Sequence, residues 1–361
     1  DIQKIKGDLI KNNQDINWIP EYVKNGIFEK TIEQAPDWCI SRNRFWATPM
    51  PVWESADGDR LVFSSIKEIE DMSGQKVKDL HRPYIDEIVI KKDGKEYRRR
   101  SEVLDSWMEA GSMSFAQIHY PFENQEKFEK NYPGDFIVEY KGQVRAWFQR
   151  MHIISTLLFN SRCFNNVIVT GVLAGTDGRK MSKTYKNYPD SKDVLNKYGG
   201  DALRLYFMGS PLMLGENTNF DESELKNKLR NVLNPLWNSA VFFLTYAQVN
   251  NWNEQDAVKS NNVLDKWILI RLNWVIKEIS DSLSSYNIPP AVKSLEEFVD
   301  DLSRWYVRKS RDRISHGDNE ALSTLYKVLF EFSKASAPII PFMSENVYRS
   351  LIKGGETDSK S

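Results

Sequence analysis

Two periodicities divide this chain. Up to about residue 220, short β-branched or aromatic runs alternate with stretches of helical spacing; from Glu222 onward apolar residues recur at helical spacing and no strand pattern returns. The clearest unit lies between 131 and 170. Pro133-Gly-Asp135 reads as a turn and Phe136-Ile-Val138 as a strand. Gln143 to Phe159 reads as an amphipathic helix carrying Trp147, Phe148, Met151, Ile154, Leu157 and Leu158, and Val167-Ile-Val-Thr170 as the next strand. That order is a βαβ unit, which requires a parallel sheet and a right-handed crossover. Further on, two helices are expected around Gly199-Gly200, then helices over about 222–250, 262–286, 289–315 and 319–352. The fold class is α/β followed by an all-α antiparallel bundle.

The remaining segments complete the organisation. Residues 1–37 read as short helices broken at Trp18-Ile-Pro20, and the passage to 53 ends in Pro49 and Pro51. Residues 54–100 read as a small inserted module: Arg60-Leu-Val-Phe63 and Glu87-Ile-Val-Ile90 are strand-like, Ser65 to Met72 helical, and Lys91 to Arg100 a charged hairpin about Asp93-Gly94. Next, Asp105, Trp107 and Gly111-Ser112 follow a short strand, placing a carboxylate, an indole and a flexible turn at a strand end, where open α/β sheets bind ligands. A core Trp107 and a capping Asp105 account for the same residues. The domains expected are 1–53, 54–100, 101–221 and 222–361.

Composition narrows the partners. A 361-residue chain with 41% hydrophobic and 27% charged residues is an ordinary globular protein of two or three domains. Its net charge of −1 means that any nucleic-acid surface must be a local patch. Cys39 and Cys163 are the only cysteines, with no CxxC pair, so a reducing, cytoplasmic setting is expected and no structural zinc site. No apolar run reaches the roughly 18 residues of a membrane span. The chain starts at Asp1 without a Met, as though inside a longer reading frame.

Candidate chemistry lies after Val167–Thr170. Gly171, Gly175 and Gly178 punctuate a loop in which Lys180 and Lys183 flank Met181 and Ser182. Two ammonium groups on a glycine-hinged loop suit neutralisation of nucleotide phosphates; taken alone, a solvated basic turn is the commoner explanation of such a pair. Glu139 ends the neighbouring strand, so it and the lysine loop are expected at one sheet edge. In the third bundle helix, Arg304, Arg308 and Arg311 oppose the apolar stripe of Ala291, Leu295, Phe298, Val299, Leu302, Trp305 and Tyr306. With only Arg308 facing an i+4 acid, Asp312, they form a candidate phosphate-contact ridge or a solvated face.

Together these segments resemble the class I aminoacyl-tRNA synthetases, in their eukaryotic-type isoleucyl branch. Lys180-Met-Ser-Lys-Thr184 resembles the KMSKS signature, Ser41-Arg-Asn-Arg-Phe-Trp-Ala-Thr-Pro-Met-Pro51 the SRxRxWGTPxP segment, and Leu104-Asp-Ser-Trp-Met-Glu-Ala-Gly-Ser-Met113 the D-x-W-F-x-S-G-S segment. Asp301 to Arg311 and Ala337-Pro-Ile-Ile-Pro-Phe342 are similar to its anticodon-binding helices, and the match runs from about Trp18 to Leu351. The resemblance implies the second half of a Rossmann-type catalytic domain and a helical tRNA-binding domain. It implies ATP with Mg2+, isoleucine and tRNA-Ile as ligands, and an N-terminal half carrying the His-x-Gly-His segment as a partner. By motif position, Lys180, Ser182 and Lys183 would be catalytic; Glu139 and Gln143, with Lys180, Met181 and Lys183, would bind ATP or the adenylate; Trp46 and Trp107 would wall the amino-acid pocket; Arg304, Arg308 and Arg311 would contact tRNA. No metal ligand is expected among them.

The pattern also departs from the family. No His-x-Gly-His segment occurs, and the editing domain that precedes the Trp38-Cys-Ile-Ser-Arg42 segment is absent from the chain. Glu139-Tyr-Lys-Gly-Gln143 stands where the family has Glu-Gly-x-Asp-Gln, so Tyr140 replaces a glycine and Gly142 an acid; Ala47 and Ala146 also replace glycines. Tyr140 is expected to crowd the adenosine site unless the loop has moved. Two further readings are a non-catalytic paralogue that keeps tRNA-binding helices, and valyl specificity.

Overall fold

The computed structural model describes residues 1–179, 181–182, 184–254 and 257–352. The strands, in chain order, are β1 (Asn17–Ile19), β2 (Ser41–Arg42), β3 (Val52–Ser55), β4 (Arg60–Val62), β5 (Val89–Lys92), β6 (Lys95–Arg99), β7 (Val103–Leu104), β8 (Gly134–Tyr140), β9 (Phe164–Thr170), β10 (Leu173–Ala174) and β11 (Thr218–Asn219). The helices are α1 (Lys6–Gln14), α2 (Lys30–Glu33), α3 (Ile66–Ser73), α4 (Ser106–Ala116), α5 (Gln125–Asn131), α6 (Trp147–Phe159), α7 (Ser191–Met208), α8 (Glu222–Lys228), α9 (Asn234–Val249), α10 (Val263–Ser284), α11 (Ile288–Asp300), α12 (Arg311–Ser315), α13 (Asn319–Ser336) and α14 (Pro341–Ile352). Compactness divides the chain once, between Val167 and Ile168.

In the first unit a parallel sheet of order β1-β9-β8 forms around the expected β8-α6-β9 crossover. Its third strand, Asn17–Ile19, comes from a stretch that reads only as a helix breaker, because a three-residue strand before a proline carries no periodicity. Trp18 is buried there against Phe28, 4.7 Å between ring centroids, and against Phe148 and Phe164. Gln143 lies in a 3-10 turn, Lys141–Arg145, before α6 rather than inside it. Asp105 caps α4 by accepting the N–H of Trp107 at 3.1 Å. Gly111 and Ser112, expected as a flexible turn, lie within that helix. A Cβ on Gly111 would sit 2.6 Å from the Ile154 side chain, so the glycine permits α4 to pack closely on α6.

The inserted module is an antiparallel sheet of order β4-β3-β6-β5 covered by α3. Asp93 and Gly94 both take positive φ, 51° and 75°, so the β5–β6 connection is the tight turn that its sequence demands. Trp53, Ile85, Ile90 and Tyr97 form its core, and the Trp53 indole donates to the Ile88 carbonyl at 2.8 Å.

In the second unit one apolar core joins α7 to the helices that follow. Gly199, with φ 77° and ψ 164°, interrupts α7, as the Gly199-Gly200 pair predicts. Two long expected helices are broken. The span 289–315 runs as α11, a π-wound stretch over Asp301–Val307, and a separate α12; the span 319–352 splits into α13 and α14 at Ala337 to Ile340. There the Arg204 guanidinium donates to the carbonyls of Pro338 and Ile339, and the Asp201 carboxylate accepts the Phe342 and Met343 N–H groups at 3.4 and 2.6 Å, capping α14. Among the described residues no helix is long and apolar enough to cross a membrane.

Candidate functional site

In the first unit Glu139 stands at the carboxyl end of β8, half-buried, and one carboxylate oxygen accepts the N–H of Tyr140 at 3.1 Å. Gln143 caps α6: its side-chain oxygen accepts the Trp147 N–H at 3.2 Å. The Trp147 indole in turn donates to the Ala110 carbonyl at 2.9 Å, tying α6 to α4 at this edge. Tyr140 is 38% exposed and folds back over Gly142, whose missing Cβ would lie 2.5 Å from the phenol oxygen. The ring thus occupies the volume in which an acid at 142 would begin.

Beside α4 lies a cluster whose connections the sequence does not reveal. The buried Asp105 carboxylate accepts from the Trp38 indole at 2.8 Å and from the Arg42 guanidinium, while Arg150 lies over the Trp38 ring at 4.5 Å. Burial alone would raise the Asp105 carboxyl; hydrogen bonds from Trp38 and the Trp107 N–H, with the charges of Arg42 and Arg150, outweigh it and hold the group below its ordinary value. Two guanidiniums against one carboxylate leave this corner net positive. Their signal in the sequence is the Trp38-Cys-Ile-Ser-Arg42 run itself, but the partners lie 63 and 67 residues away.

The two tryptophans expected in the amino-acid pocket differ. Trp107 is half-buried in the first turn of α4, whereas Trp46 is 68% exposed and stacks on His81, with rings 6° from parallel and 5.0 Å apart. An apolar cavity of about 550 Å3 lined by Met50, Phe63, Ile66, Leu80 and Phe122 adjoins the module; none of the residues expected at the site lines it. His152 is a core group: wholly buried, it meets the Leu9 carbonyl at 2.9 Å, and burial pushes its pKa down to about 4.

In the second unit, Lys180 and Lys183 lie outside the described residues, but the frame that holds their loop is described. Gly171 donates its N–H to the Leu212 carbonyl at 2.8 Å, and β10 pairs in parallel with β11. Beyond them Asp177 accepts the Arg179 N–H at 3.0 Å and the Asn187 side-chain amide at 2.9 Å. The Asn187 oxygen accepts the Ser182 N–H at 3.0 Å. Hydrogen bonding from Asn187 first, then from Arg179, holds the Asp177 pKa at about 2, so this clasp keeps its charge throughout the physiological range. Gly175 is required by it: a Cβ there would lie 2.4 Å from the Asn187 carbonyl oxygen. The Ser182 hydroxyl accepts the Thr184 N–H at 3.1 Å and so shapes the loop. Met181 is half-buried against the helical core, which makes it an anchor of the loop. Asp177 and Asn187 escape a reading of the sequence because a polar pair ten residues apart has no periodicity.

The three arginines of the expected ridge are all exposed. The i, i+4, i+7 spacing presumes an α-helix, but Asp301–Val307 is π-wound. Arg304 is ion-paired at 3.0 Å with Asp300, four residues before it, a partner that a count of i+4 acids leaves out. Arg308 and Arg311 instead line a cavity of about 370 Å3 with Asn238, Phe242 and Val307, and Arg311 lies over the Phe242 ring.

Residues 1–220 match the family described as tRNA synthetases class I (I, L, M and V). The chain belongs to this family. Residues 265–360 of the synthetase chain also match the anticodon-binding domain of tRNA ligase. It is 44% identical over 356 residues to the isoleucine–tRNA ligase of Protochlamydia amoebophila, covering 97% of this chain and 34% of that protein. It is 43% identical over 369 residues to the isoleucine–tRNA ligase of Chlamydia trachomatis, covering 100% of this chain and 35% of the relative. The chain therefore spans about a third of the length of these relatives. The fold is shared with the methionyl-tRNA synthetase of Mycobacterium tuberculosis solved with methionyl-adenylate (TM-score 0.68, 15% identity, 96% of this chain and 61% of that one). It is shared too with the agnB2 LeuRS of Agrobacterium radiobacter K84 in a ternary complex with tRNA and LeuAMS (TM-score 0.65, 16% identity, 90% and 41%).

Proposed function

We propose that this chain is the lysine-loop and anticodon-binding portion of an isoleucine–tRNA ligase, which joins isoleucine to ATP as an adenylate and passes the acyl group to tRNA-Ile. The observation that carries the reading is the lysine loop held by the Asp177–Asn187 clasp, in a chain aligned end to end with isoleucine–tRNA ligases. In the reaction the isoleucine carboxylate attacks the α-phosphate and pyrophosphate leaves, so no protein nucleophile is needed and the protein contributes position and charge. Lys180 and Lys183 would neutralise the departing phosphates, Ser182 and the clasp would set the loop, and Glu139 and Gln143 would hold the nucleoside. Mg2+ would enter with ATP as part of the substrate. Trp107 is better placed than the exposed Trp46 to wall the amino-acid pocket.

The test is isoleucine-dependent ATP–pyrophosphate exchange by the intact protein encoded by the reading frame that carries this chain. Lys183→Ala is expected to lower kcat by about 10²–10³, as loss of a transition-state charge contact does. The 361-residue chain by itself is expected to give no exchange. Exchange supported by valine but not isoleucine would replace the specificity, and tRNA binding without any exchange would favour the non-catalytic paralogue, for which the Tyr140 and Gly142 departures are the specific observation.

The same reading assigns tRNA contact to Arg308 and Arg311. The Arg308→Ala, Arg311→Ala double variant is expected to weaken tRNA-Ile binding and to reduce the slope of log affinity against log salt by about 1.5–2. Arg304→Ala, which removes an arginine already paired with Asp300, is expected to change the slope by less than half as much. Filter binding across a salt series measures both.

A further inference from the structure

The apolar cavity of about 550 Å3 beside the inserted module has no part in the proposed reaction. Its walls come from two regions of the chain: Trp53, Phe63 and Ile69 from the core of the module, and Met50, Leu104 and Phe122 from the segments on either side of it. The module residues are buried, but the rim is not: Ile66 and Leu80 are each 44% exposed and Phe122 61%. Three large apolar side chains around an open apolar hollow hold water against a surface that an apolar ligand would cover favourably. The volume falls in the range of about 300–1,000 Å3 seen for small-molecule sites, and the lining has their composition, mostly apolar with a few polar groups.

Those polar groups set the sign of the ligand. Lys67 and Arg99 line the cavity, and no Asp or Glu does. The Arg99 side chain is fully buried, and its partner Asp86 is shared with Arg82, whose Nε donates at 2.7 Å. Two guanidiniums on one carboxylate leave that wall net positive. Lys67 has no ion-pair partner among the described residues. Thr48 and His119 also line the cavity, each engaged with an acid, Glu109 at 3.0 Å and Glu123 at 3.3 Å. An apolar body with one anionic head answers both features, whereas a cation would meet like charge.

We infer that this cavity is a binding site for a small amphipathic monoanion, of which a saturated carboxylate of about ten carbons is the simplest member. Its chain lies against Phe63, Ile66 and Phe122, and its carboxylate is held by Lys67. The site is independent of the synthetase reading, since none of the residues assigned to that reaction lines it. Because the walls belong both to the module and to Leu104 of β7, a bound ligand fastens the module to the strand that leads into α4.

The experiment titrates the intact protein with decanoate, followed by calorimetry and by thermal unfolding. Decanoate is expected to bind once per chain and to raise the melting temperature. Octanoate, two methylenes shorter, is expected to bind about fifteenfold more weakly, and decyltrimethylammonium at least about fivefold more weakly for its opposite charge. Lys67→Glu is expected to weaken decanoate at least about fivefold and neutral decanol less than about twofold. Leu80→Trp, at the exposed rim where the fold tolerates a larger ring, is expected to fill the mouth and abolish binding of both. The inference is overturned if the intact protein does not bind decanoate, the result expected should its other segments fill the cavity. Equal affinity for the carboxylate and the ammonium would overturn it as well, and so would decanoate binding that neither variant changes, which would lie elsewhere on the protein.

Discussion

Asp265→Ala is expected to destabilise the helical unit by about 3–5 kcal/mol, the cost of breaking a buried ion pair from one side. Asp265 is fully buried at the start of α10. Its two oxygens accept from both terminal nitrogens of Arg313 at 2.9 Å, from the Tyr306 hydroxyl at 2.8 Å and from the Ser260 hydroxyl at 2.6 Å. Arg313 also holds Asp318 in front of α13, so a single carboxylate ties together the starts of two helices and the π-wound stretch. Removal also takes the acceptor from the buried Tyr306 hydroxyl. Arg313 is 25% exposed and keeps Asp318, which sets the upper bound on the loss. Asp265→Asn, which preserves shape and two acceptor contacts but not the charge, is expected to cost about 1.5–3 kcal/mol. Urea unfolding of the chain followed by far-ultraviolet circular dichroism measures both, and an alanine variant within 1 kcal/mol of wild type by the same analysis would show that the network contributes little.

The second large effect belongs to Gly171. A Cβ there would lie 1.7 Å from the Glu216 carbonyl oxygen and 2.3 Å from its carbon. These are backbone atoms, held by the β10–β11 pairing and by the Thr218 N–H to Val172 bond at 3.1 Å, so no side-chain rotation relieves the clash. Gly171→Ala must therefore part the strand exit from the 211–219 segment, and overpacking against backbone exceeds the usual range of about 1–3 kcal/mol. Because Gly171 begins the segment that carries Lys180 and Lys183, the displacement also moves the loop. In the intact protein the variant is expected to lose exchange activity by at least about a hundredfold, the effect of an ångström-scale misplacement. Activity within tenfold of wild type, with the variant folded, would show that the loop does not depend on this contact. Gly178→Ala provides contrast: its φ of 76° strains an alanine, but the nearest atom to the new methyl is 3.8 Å away, so about 1 kcal/mol is expected and no comparable loss of exchange.

What the sequence discloses follows periodicity. The β8-α6-β9 unit is legible because an apolar helix stripe sits between two β-branched runs, and the Asp93-Gly94 hairpin because its turn demands those two residues. The Asn17–Ile19 strand is not legible, since three residues before Pro20 have no room to alternate. Gly111 looks like a turn because glycine signals both flexibility and close packing, and only the position of Ile154 decides which. At the candidate site the motif residues Glu139, Gln143 and Ser182 are found by order along the chain. The Trp38–Asp105–Arg42 corner and the Asp177–Asn187 clasp depend on which polar groups meet in space, and composition is silent about that. The exposure of Arg304, Arg308 and Arg311 follows from their spacing, whereas the π-wound stretch and the pairing of Arg304 with Asp300 do not.

One feature of the second unit bears on how the chain is made. The carboxylate that caps α14 belongs to Asp201, 142 positions before Met343, and Arg204 reaches the carbonyls at 338 and 339 in the same way. During synthesis α7 therefore emerges from the ribosome long before the groups that satisfy it, and Asp201 waits as a carboxylate whose native burial raises its pKa. Contacts of such long sequence separation are late and entropically costly to close. The helix that follows the lysine loop acquires these contacts only when α14 has been translated, so a chain stopped short of α14 leaves the Asp201 and Arg204 side chains without them.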